Sequence, residues 1–373
     1  MAAMKTHPAH FLPDRIDQPA RIKGRGAPSN PKGRFESTER TREDDGWEQE
    51  AEPESRPETT VTEERARTII SHNESPDVHF TASINAYRGC EHGCIYCYAR
   101  PSHSYLNLSP GIDFETKLFA KTNAAEQLRK ELAKPSYVCS PINLGANTDP
   151  YQPIERRYRI TRSIIEVLAE HRHPFTIITK NALVERDLDL LVPLARDNLV
   201  HAFVSITSLD NRLASTLEPR ASAPHRRLKA VEALNAAGVP CGVMVAPIIP
   251  MVTDKYLEKI LEGAAQAGAP AAGYTIVRLP YELKDLFREW LALHVPERAE
   301  HVMSLIQQMR GGRDNDPNFG SRMRGEGEFA DLIRQRFQLA CRKYGINRGR
   351  PVRLATNLFR VLRAASPQGE LFA

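Results

Sequence analysis

Tyr87-Arg-Gly-Cys-Glu-His-Gly-Cys-Ile-Tyr-Cys-Tyr98 places three thiols, Cys90, Cys94 and Cys97, in one short loop, with an aromatic side chain just before the last of them. Thiols gathered so closely are metal ligands, and four of them complete an iron–sulfur cluster or a structural zinc site. The other cysteines, Cys139, Cys241 and Cys341, are scattered, so three thiolates leave one metal position open, and an open position is where chemistry happens. A zinc knuckle completed by His92 or His103 is the competing reading, although zinc favours paired Cys-x-x-Cys arms joined across a longer loop.

Outward from this loop, short apolar runs alternate with amphipathic stretches, the pattern of repeated β–α units around a parallel sheet. Strands are expected over 82–87, 138–145, 175–179, 200–207, 241–248 and 273–278. Helices are expected over 122–133, 161–172, 185–197, 225–237, 254–267 and 283–293, several opened by a capping residue such as Thr161 or Thr253 and closed by Gly238 or Gly268. Six units are too few for a closed eight-fold barrel. They predict an α/β fold, a partial (β/α)6 TIM-like barrel over residues 76–295, with the cysteine loop at the mouth formed by the carboxyl ends of the strands. Residues 1–75 are rich in Pro, Arg, Glu and Ser and read as a largely disordered N-terminal extension, in which Lys23–Glu36 has the makings of an extended arm. Residues 296–373 read as a helical C-terminal extension with a basic tail; its helices, 297–310 and 326–344, flank the glycine-rich segment 311–325.

The chain has 373 residues and a net charge of +5, too modest to declare a nucleic-acid binder from composition. The charge is unevenly spread: residues 36–66 are acidic, while Arg342, Lys343, Arg348, Arg350, Arg353, Arg360 and Arg363 crowd the end of the chain with almost no acids. No segment approaches the roughly 18 uninterrupted apolar residues that span a bilayer, and residues 1–30 lack the apolar stretch of a secretory signal. Cytoplasmic localisation without a membrane partner is the expectation, with cysteines kept reduced for a metal.

A strand, then Cys-x-x-x-Cys-x-aromatic-Cys, then five further strand–helix units resembles the radical S-adenosylmethionine (SAM) superfamily over about residues 76–295. The resemblance implies a four-iron four-sulfur (4Fe-4S) cluster on Cys90, Cys94 and Cys97, whose open iron chelates SAM. It further implies a low-potential electron donor of flavodoxin or ferredoxin type, and cleavage of SAM to a 5′-deoxyadenosyl radical that abstracts hydrogen. Tyr96 would then lie against the adenine. The usual Gly-Gly-Glu turn after the second strand is absent from Gly145-Ala-Asn-Thr-Asp-Pro-Tyr-Gln-Pro-Ile-Glu155, leaving Asn147, Thr148, Asp149 and Gln152 as polar candidates there. Lys180 would meet the SAM carboxylate, Ser205 or Thr207 the ribose, and Arg220 supplies charge at the mouth.

Cys-Ile-Tyr-Cys-Tyr98, the Thr148–Glu155 loop and Ala246-Pro-Ile-Ile-Pro250 look like the spore photoproduct lyase-related, "DNA repair photolyase" branch. Lyases of that branch use a cysteine hydrogen donor and a nearby tyrosine. Tyr98 matches the tyrosine and is the catalytic candidate; Ala146 stands where the cysteine belongs, so a true photoproduct lyase is not what the resemblance predicts. Gln368-Gly-Glu-Leu-Phe372 resembles the peptide by which bacterial repair proteins dock on the sliding clamp. With the basic tail, it ranks a nucleic acid, DNA first, above small-molecule substrates; the runner-up keeps the chemistry and takes RNA, a peptide or a metabolite as substrate. A cluster-containing clamp adaptor or redox sensor without turnover is the reading from another class.

Overall fold

The structure, a computed structural model, describes residues 19–36, 57–349 and 353–362. Among these, ten strands are present: β1 (Thr60–Glu64), β2 (Ile70–His72), β3 (Ala82–Ile84), β4 (Tyr87–Arg88), β5 (Lys117–Lys121), β6 (Ile142–Leu144), β7 (Phe175–Thr179), β8 (Val200–Ser205), β9 (Cys241–Ile248) and β10 (Ala272–Ile276). The larger sheet runs β10-β9-β8-β7-β6-β3-β2. Its first six strands are parallel, and β2 closes the β3 edge in the antiparallel sense. Six parallel strands alternating with helices make the partial (β/α)6 barrel expected from the sequence.

Parallel strands under covering helices are buried on both faces, which is why they read as apolar runs; in β8 only Phe203 is not fully buried. Helices 160–170, 224–236 and 257–266 add Ile164, Leu168, Val231, Leu234, Ile260 and Leu261 to the same core. Boundaries shift where the backbone cannot pair. The strand expected from 138 begins at Ile142, because Pro141 has no N–H to give and Val138 is exposed. The strand expected over 82–87 ends at Ile84, and Tyr87–Arg88 pair instead with β5 in a second sheet, β1-β5-β4, that periodicity does not announce.

Residues 19–36 and 57–75, for which composition predicts little fixed structure, are built into the fold. The latter supply β1 and β2, and Ala27 of the former is buried beside the cysteine loop. Helices 299–308 and 328–344 replace the expected 297–310 and 326–344. The second packs on helix 257–266, where Arg336 Nε lies 2.7 Å from Glu258 Oε1, and on β10, where the Phe337 and Tyr274 ring centroids are 4.7 Å apart. Residues 353–362 run beneath the amino ends of the strands; Phe359 packs against Tyr137 and His173 with centroids 5.5 and 5.2 Å apart. Gln368–Phe372 lies outside the described residues. No helix among the described residues is long and apolar enough to cross a membrane.

The glycine-rich segment 311–325 crosses to the opposite edge of the open barrel. Gly320 N–H donates to Asp77 Oδ1 at 2.6 Å, Arg322 Nε donates to Asp77 Oδ2, and Arg322 Nη2 donates to Ser75 Oγ at 2.6 Å. A strap therefore joins the β10 side of the sheet to the connection between β2 and β3.

Candidate active site

The cysteine loop follows β4 and lies against the segments that leave β6, β7 and β8, the end of a parallel sheet where functional groups gather. Cys90 and Cys94 are buried and Cys97 is half-buried, all with free thiols. The loop backbone is fixed by a fully buried ion pair: Arg100 donates from Nε to Cys94 O at 2.9 Å and from Nη2 to Gly93 O at 3.1 Å, while Glu115 Oε1 lies 2.5 Å from Nη2. Glu115 also accepts the N–H groups of Gly26 and Ala27 at 3.0 and 2.8 Å. One carboxylate thus ties the N-terminal arm to the cysteine loop. Gln152 braces the other side, donating to Gly89 O at 3.1 Å and accepting Glu91 N–H at 2.8 Å.

The arm lies so close that a Cβ on Gly26 would come within 1.8 Å of Gly93 O. Gly26→Val is therefore expected to lift the arm, forfeiting two hydrogen bonds to a charged acceptor, each worth about 1.5–3 kcal/mol. The chain after Arg25, a residue held by Pro57 O at 2.6 Å and Thr59 Oγ1 at 3.0 Å, should then be cut by trypsin at least about tenfold faster than in the wild type. Equal resistance of the bond after Arg25 in wild type and variant would show that docking does not depend on this glycine.

His92 Nδ1 lies 3.3 Å from Asp149 Oδ2 and His92 Nε2 lies 3.2 Å from Asn181 Nδ2; His103 Nε2 faces Lys117 O at 3.0 Å. His92 is thus engaged on both sides of its ring, and His103 through Nε2. Among the described residues no three of His, Cys, Asp and Glu gather around one point as a single ion requires; a cubane instead takes each thiolate on a different iron. Burial, reinforced by Asp149 and the neighbouring thiols, holds the Cys90 thiol well above its ordinary range, and burial pushes Cys94 up to about 12. Bound iron would supply the positive charge that converts such thiols to thiolates. Three soft donors in a water-poor loop packed by Ile95, Ala99 and Phe114 fit a cluster better than a zinc ion.

Behind the thiols, Glu218 and Arg227 form a second fully buried pair. Arg227 donates from Nε to Ser222 O at 2.6 Å and from Nη1 to Ser205 O at 3.0 Å. Glu218 accepts from Thr207 Oγ1 at 2.7 Å and from the Tyr96 hydroxyl. Burial works to raise the Glu218 carboxyl, but Arg227 and then Lys180 bring it down to about 2. Burial likewise works against the Lys180 ammonium, yet Cys94 and Glu218 outweigh it and keep its pKa above the ordinary lysine value. Lys180 Nζ stands 5.8 Å from the Tyr96 ring centroid. Tyr96, Lys180, Ser205 and Thr207, the sequence candidates for a SAM pocket, are thereby brought together beside Cys94. Leu217-Glu-Pro-Arg220 and Arg226-Arg227 read in the sequence as charged groups at the mouth, but nothing there singles out Glu218 and Arg227 as the buried pair, since residues nine apart across Pro219 carry no periodic signal.

The β6 loop divides its candidates. Asn147 is exposed at the mouth, whereas Thr148 is buried and donates to Tyr87 O at 3.2 Å. Asp149 is engaged by protein donors, Thr179 Oγ1 and Lys180 N–H at 2.7 Å each and Tyr151 N–H at 2.9 Å. Burial opposes its charge, but His92 and these hydrogen bonds take its carboxyl down to about 2. Asp149 thus holds the ends of β6 and β7 together. Arg220 stands on the outer flank, its Nη2 2.8 Å from Glu91 Oε1, beside a shallow pocket lined by Pro153, Arg156, Asn181 and Ser222. Tyr98 is half exposed and donates its hydroxyl to Ala146 O, so the tyrosine and the alanine that replaces the donor cysteine do meet. Cys139 is remote from them, 3.7 Å from His173 Nε2 at the opposite end of the strands.

A family model described as the radical SAM superfamily matches residues 84–264. An uncharacterised protein of Mycobacterium tuberculosis is 40% identical over 231 residues, 61% of this chain and 68% of that protein. One of Methanocaldococcus jannaschii is 27% identical over 190 residues, 51% of this chain and 68% of that protein. Among solved structures, spore photoproduct lyase complexed with dinucleoside spore photoproduct superposes with a TM-score of 0.52 at 16% identity, covering 76% of this chain and 79% of the lyase; the likeness is one of fold. Proteins of the matched family use a 4Fe-4S cluster and SAM. With its three-thiol loop at the mouth of a partial barrel and this match across the barrel, the chain belongs to the radical SAM superfamily and is an enzyme of that class.

Proposed function

We propose that Cys90, Cys94 and Cys97 hold the 4Fe-4S cluster, that SAM lies between it and Lys180, and that the enzyme abstracts hydrogen from a nucleic-acid substrate. Bound together, cluster and SAM supply the hydrogen-abstracting chemistry; the protein positions it and excludes water. Lys180 offers the cation for the SAM carboxylate, Tyr96 the ring beside the adenine, and Ser205 and Asn147 flank the same space. Thr148, Asp149 and Arg220 act one step back, fixing the loops from which the contacts are made. A low-potential reductant of flavodoxin or ferredoxin type is the matching electron source.

The observation that carries the nucleic-acid part is the rim of the mouth. Half-exposed Tyr98 has the Arg278 guanidinium 5.8 Å from its ring centroid, and exposed Phe319 has that of Arg322 at 4.4 Å. Aromatic faces interleaved with guanidinium groups are what stacked bases and their phosphates require. The lyase that shares the fold is solved in complex with dinucleoside spore photoproduct, which supports the same substrate class. Tyr98 is the proposed catalytic side chain: it occupies the mouth beside Cys97, and with Ala146 opposite it no thiol among the described residues, beyond the three proposed cluster ligands, is placed to quench a substrate radical there. DNA repair in the wider sense fits this site; the thiol-dependent lyase reaction does not.

The test is anaerobic reconstitution followed by SAM cleavage with DNA deuterated in its bases and sugars. Deuterium should appear in 5′-deoxyadenosine. If SAM is cleaved but deuterium arrives only from peptides or metabolites, the nucleic-acid reading falls; if a cluster forms and SAM is never cleaved with a competent reductant, the enzymatic reading falls with it.

A further inference from the structure

Arg278, just past the end of β10, is the cation that the site as described leaves unused. Its Nη1 reaches only the Met323 thioether at 3.4 Å, and its Nε is buried without a hydrogen-bond partner. Among the described residues no carboxylate stands within ion-pair distance of it. The two acids that attract it from farther away are already engaged: Asp77 with Arg322 and Gly320 N–H, and Asp316 with Ser321 Oγ and the Asn318 N–H at 2.9 Å. Burial, then repulsion from Arg322, pulls the Arg278 pKa below the ordinary arginine value. A half-buried guanidinium with no carboxylate in ion-pair reach leaves a place for a partner that supplies the negative charge.

The geometry limits what that partner is. A guanidinium is a planar fork of N–H donors that fits two oxygens of one tetrahedral or carboxylate anion. The guanidinium carbon lies 5.8 Å from the centroid of the Tyr98 ring, whose hydroxyl reaches Ala146 just past β6, so this cation lies on the Tyr98 side of the mouth. The cation of the cofactor side is Lys180, near Tyr96 and Cys94. On the outer margin the strap presents Arg322 and Phe319.

We propose that Arg278 is the anion anchor of the substrate site, taking a phosphodiester of a nucleic-acid strand whose adjoining nucleoside lies on the Tyr98 ring. This assignment rests on the nucleic-acid reading and adds to it the residue and the group recognised. Cluster-reconstituted full-length protein is titrated with thymidylyl-thymidine and with its uncharged methylphosphonate analogue. The wild type should prefer the charged dinucleotide by about tenfold or more, the scale of hydrogen bonds to a charged group. Arg278→Met should bind both alike while keeping its iron and its SAM affinity, and Arg278→Lys should recover part of the preference, having the charge without the fork. A variant that keeps the discrimination, or that loses SAM affinity instead, overturns the assignment. Wild type that binds both dinucleotides equally removes the anchor and leaves the nucleic-acid reading standing; wild type that binds neither removes both.

Discussion

Cys94→Ala is expected to abolish iron binding and SAM cleavage while leaving the fold almost untouched. The contacts that hold this part of the loop go to its backbone: Arg100 grips Cys94 O and Gly93 O, and Ile95 N–H donates to Leu217 O at 3.0 Å. Exchanging a buried thiol for a methyl group removes one heavy atom from the core, a loss of about 1 kcal/mol. The chelate, by contrast, loses one of the three thiols that stand in this loop. Iron and sulfide should fall from about four of each per chain to near zero, with thermal unfolding of the metal-free proteins nearly superimposable. Cys139→Ala, Cys241→Ala and Cys341→Ala should keep full iron. Retention of a cluster by Cys94→Ala, or its loss from Cys139→Ala, would reassign the ligands.

The contrast between these cysteines explains what the sequence could disclose. A metal-binding loop carries its own spacing, so the grouping of Cys90, Cys94 and Cys97 is legible without any knowledge of tertiary structure. The parallel strands are legible for a related reason: burial on both faces leaves uninterrupted apolar runs such as Phe175–Thr179 and Val200–Ser205. The second sheet has neither signal. β1 is mostly exposed and polar, and it is a strand because it pairs in parallel with β5, Thr60 opposite Lys117. Such long-range pairing leaves no local pattern. The arm is hidden in the same way, because Gly26 and Ala27 are ordered by a carboxylate at Glu115, far along the chain.

Polar residues of the site divide along the same line. The sequence locates the loops that carry them, but which group faces the cofactor and which faces the protein depends on partners from other strands. Asp149 looks like a ligand until Thr179 and Lys180 are seen to claim its oxygens. In Leu217-Glu-Pro-Arg220 the arginine draws attention as the accessible charge, yet it is Glu218 that turns inward, packed beside Tyr96, and Arg220 that pairs with Glu91 on the flank. Arg227 looks like one of two adjacent helix arginines; only the fold separates it, fully buried, from Arg226, which pairs with Glu185 nearer the surface.

Removing Arg227 should therefore be among the most destabilising single changes at the mouth. Arg227→Met would leave the Glu218 carboxylate buried with Tyr96, Thr207 and Lys180 as its remaining support, and breaking a buried pair by deleting one partner costs about 3–5 kcal/mol. That is a large share of the roughly 5–15 kcal/mol that stabilises a typical protein. Adding Glu218→Gln should recover much of the loss, because the double variant no longer buries an uncompensated charge. The pair also sets a pH dependence. Glu218 titrates at about 2 in the fold against an ordinary 4.5, so the native state holds its charge more favourably than the unfolded chain does. Its contribution is complete above about 4.5 and is lost as the pH falls towards 2, because the unfolded chain takes up the proton first. Denaturant unfolding of the metal-free protein at pH 6 and pH 3 should show this decline in the wild type and a much weaker one in the double variant. Equal declines in both would mean that Glu218 does not carry the acid sensitivity, and a loss under 1 kcal/mol in Arg227→Met would mean that the two side chains are not the coupled pair on which the Tyr96–Lys180 pocket is built.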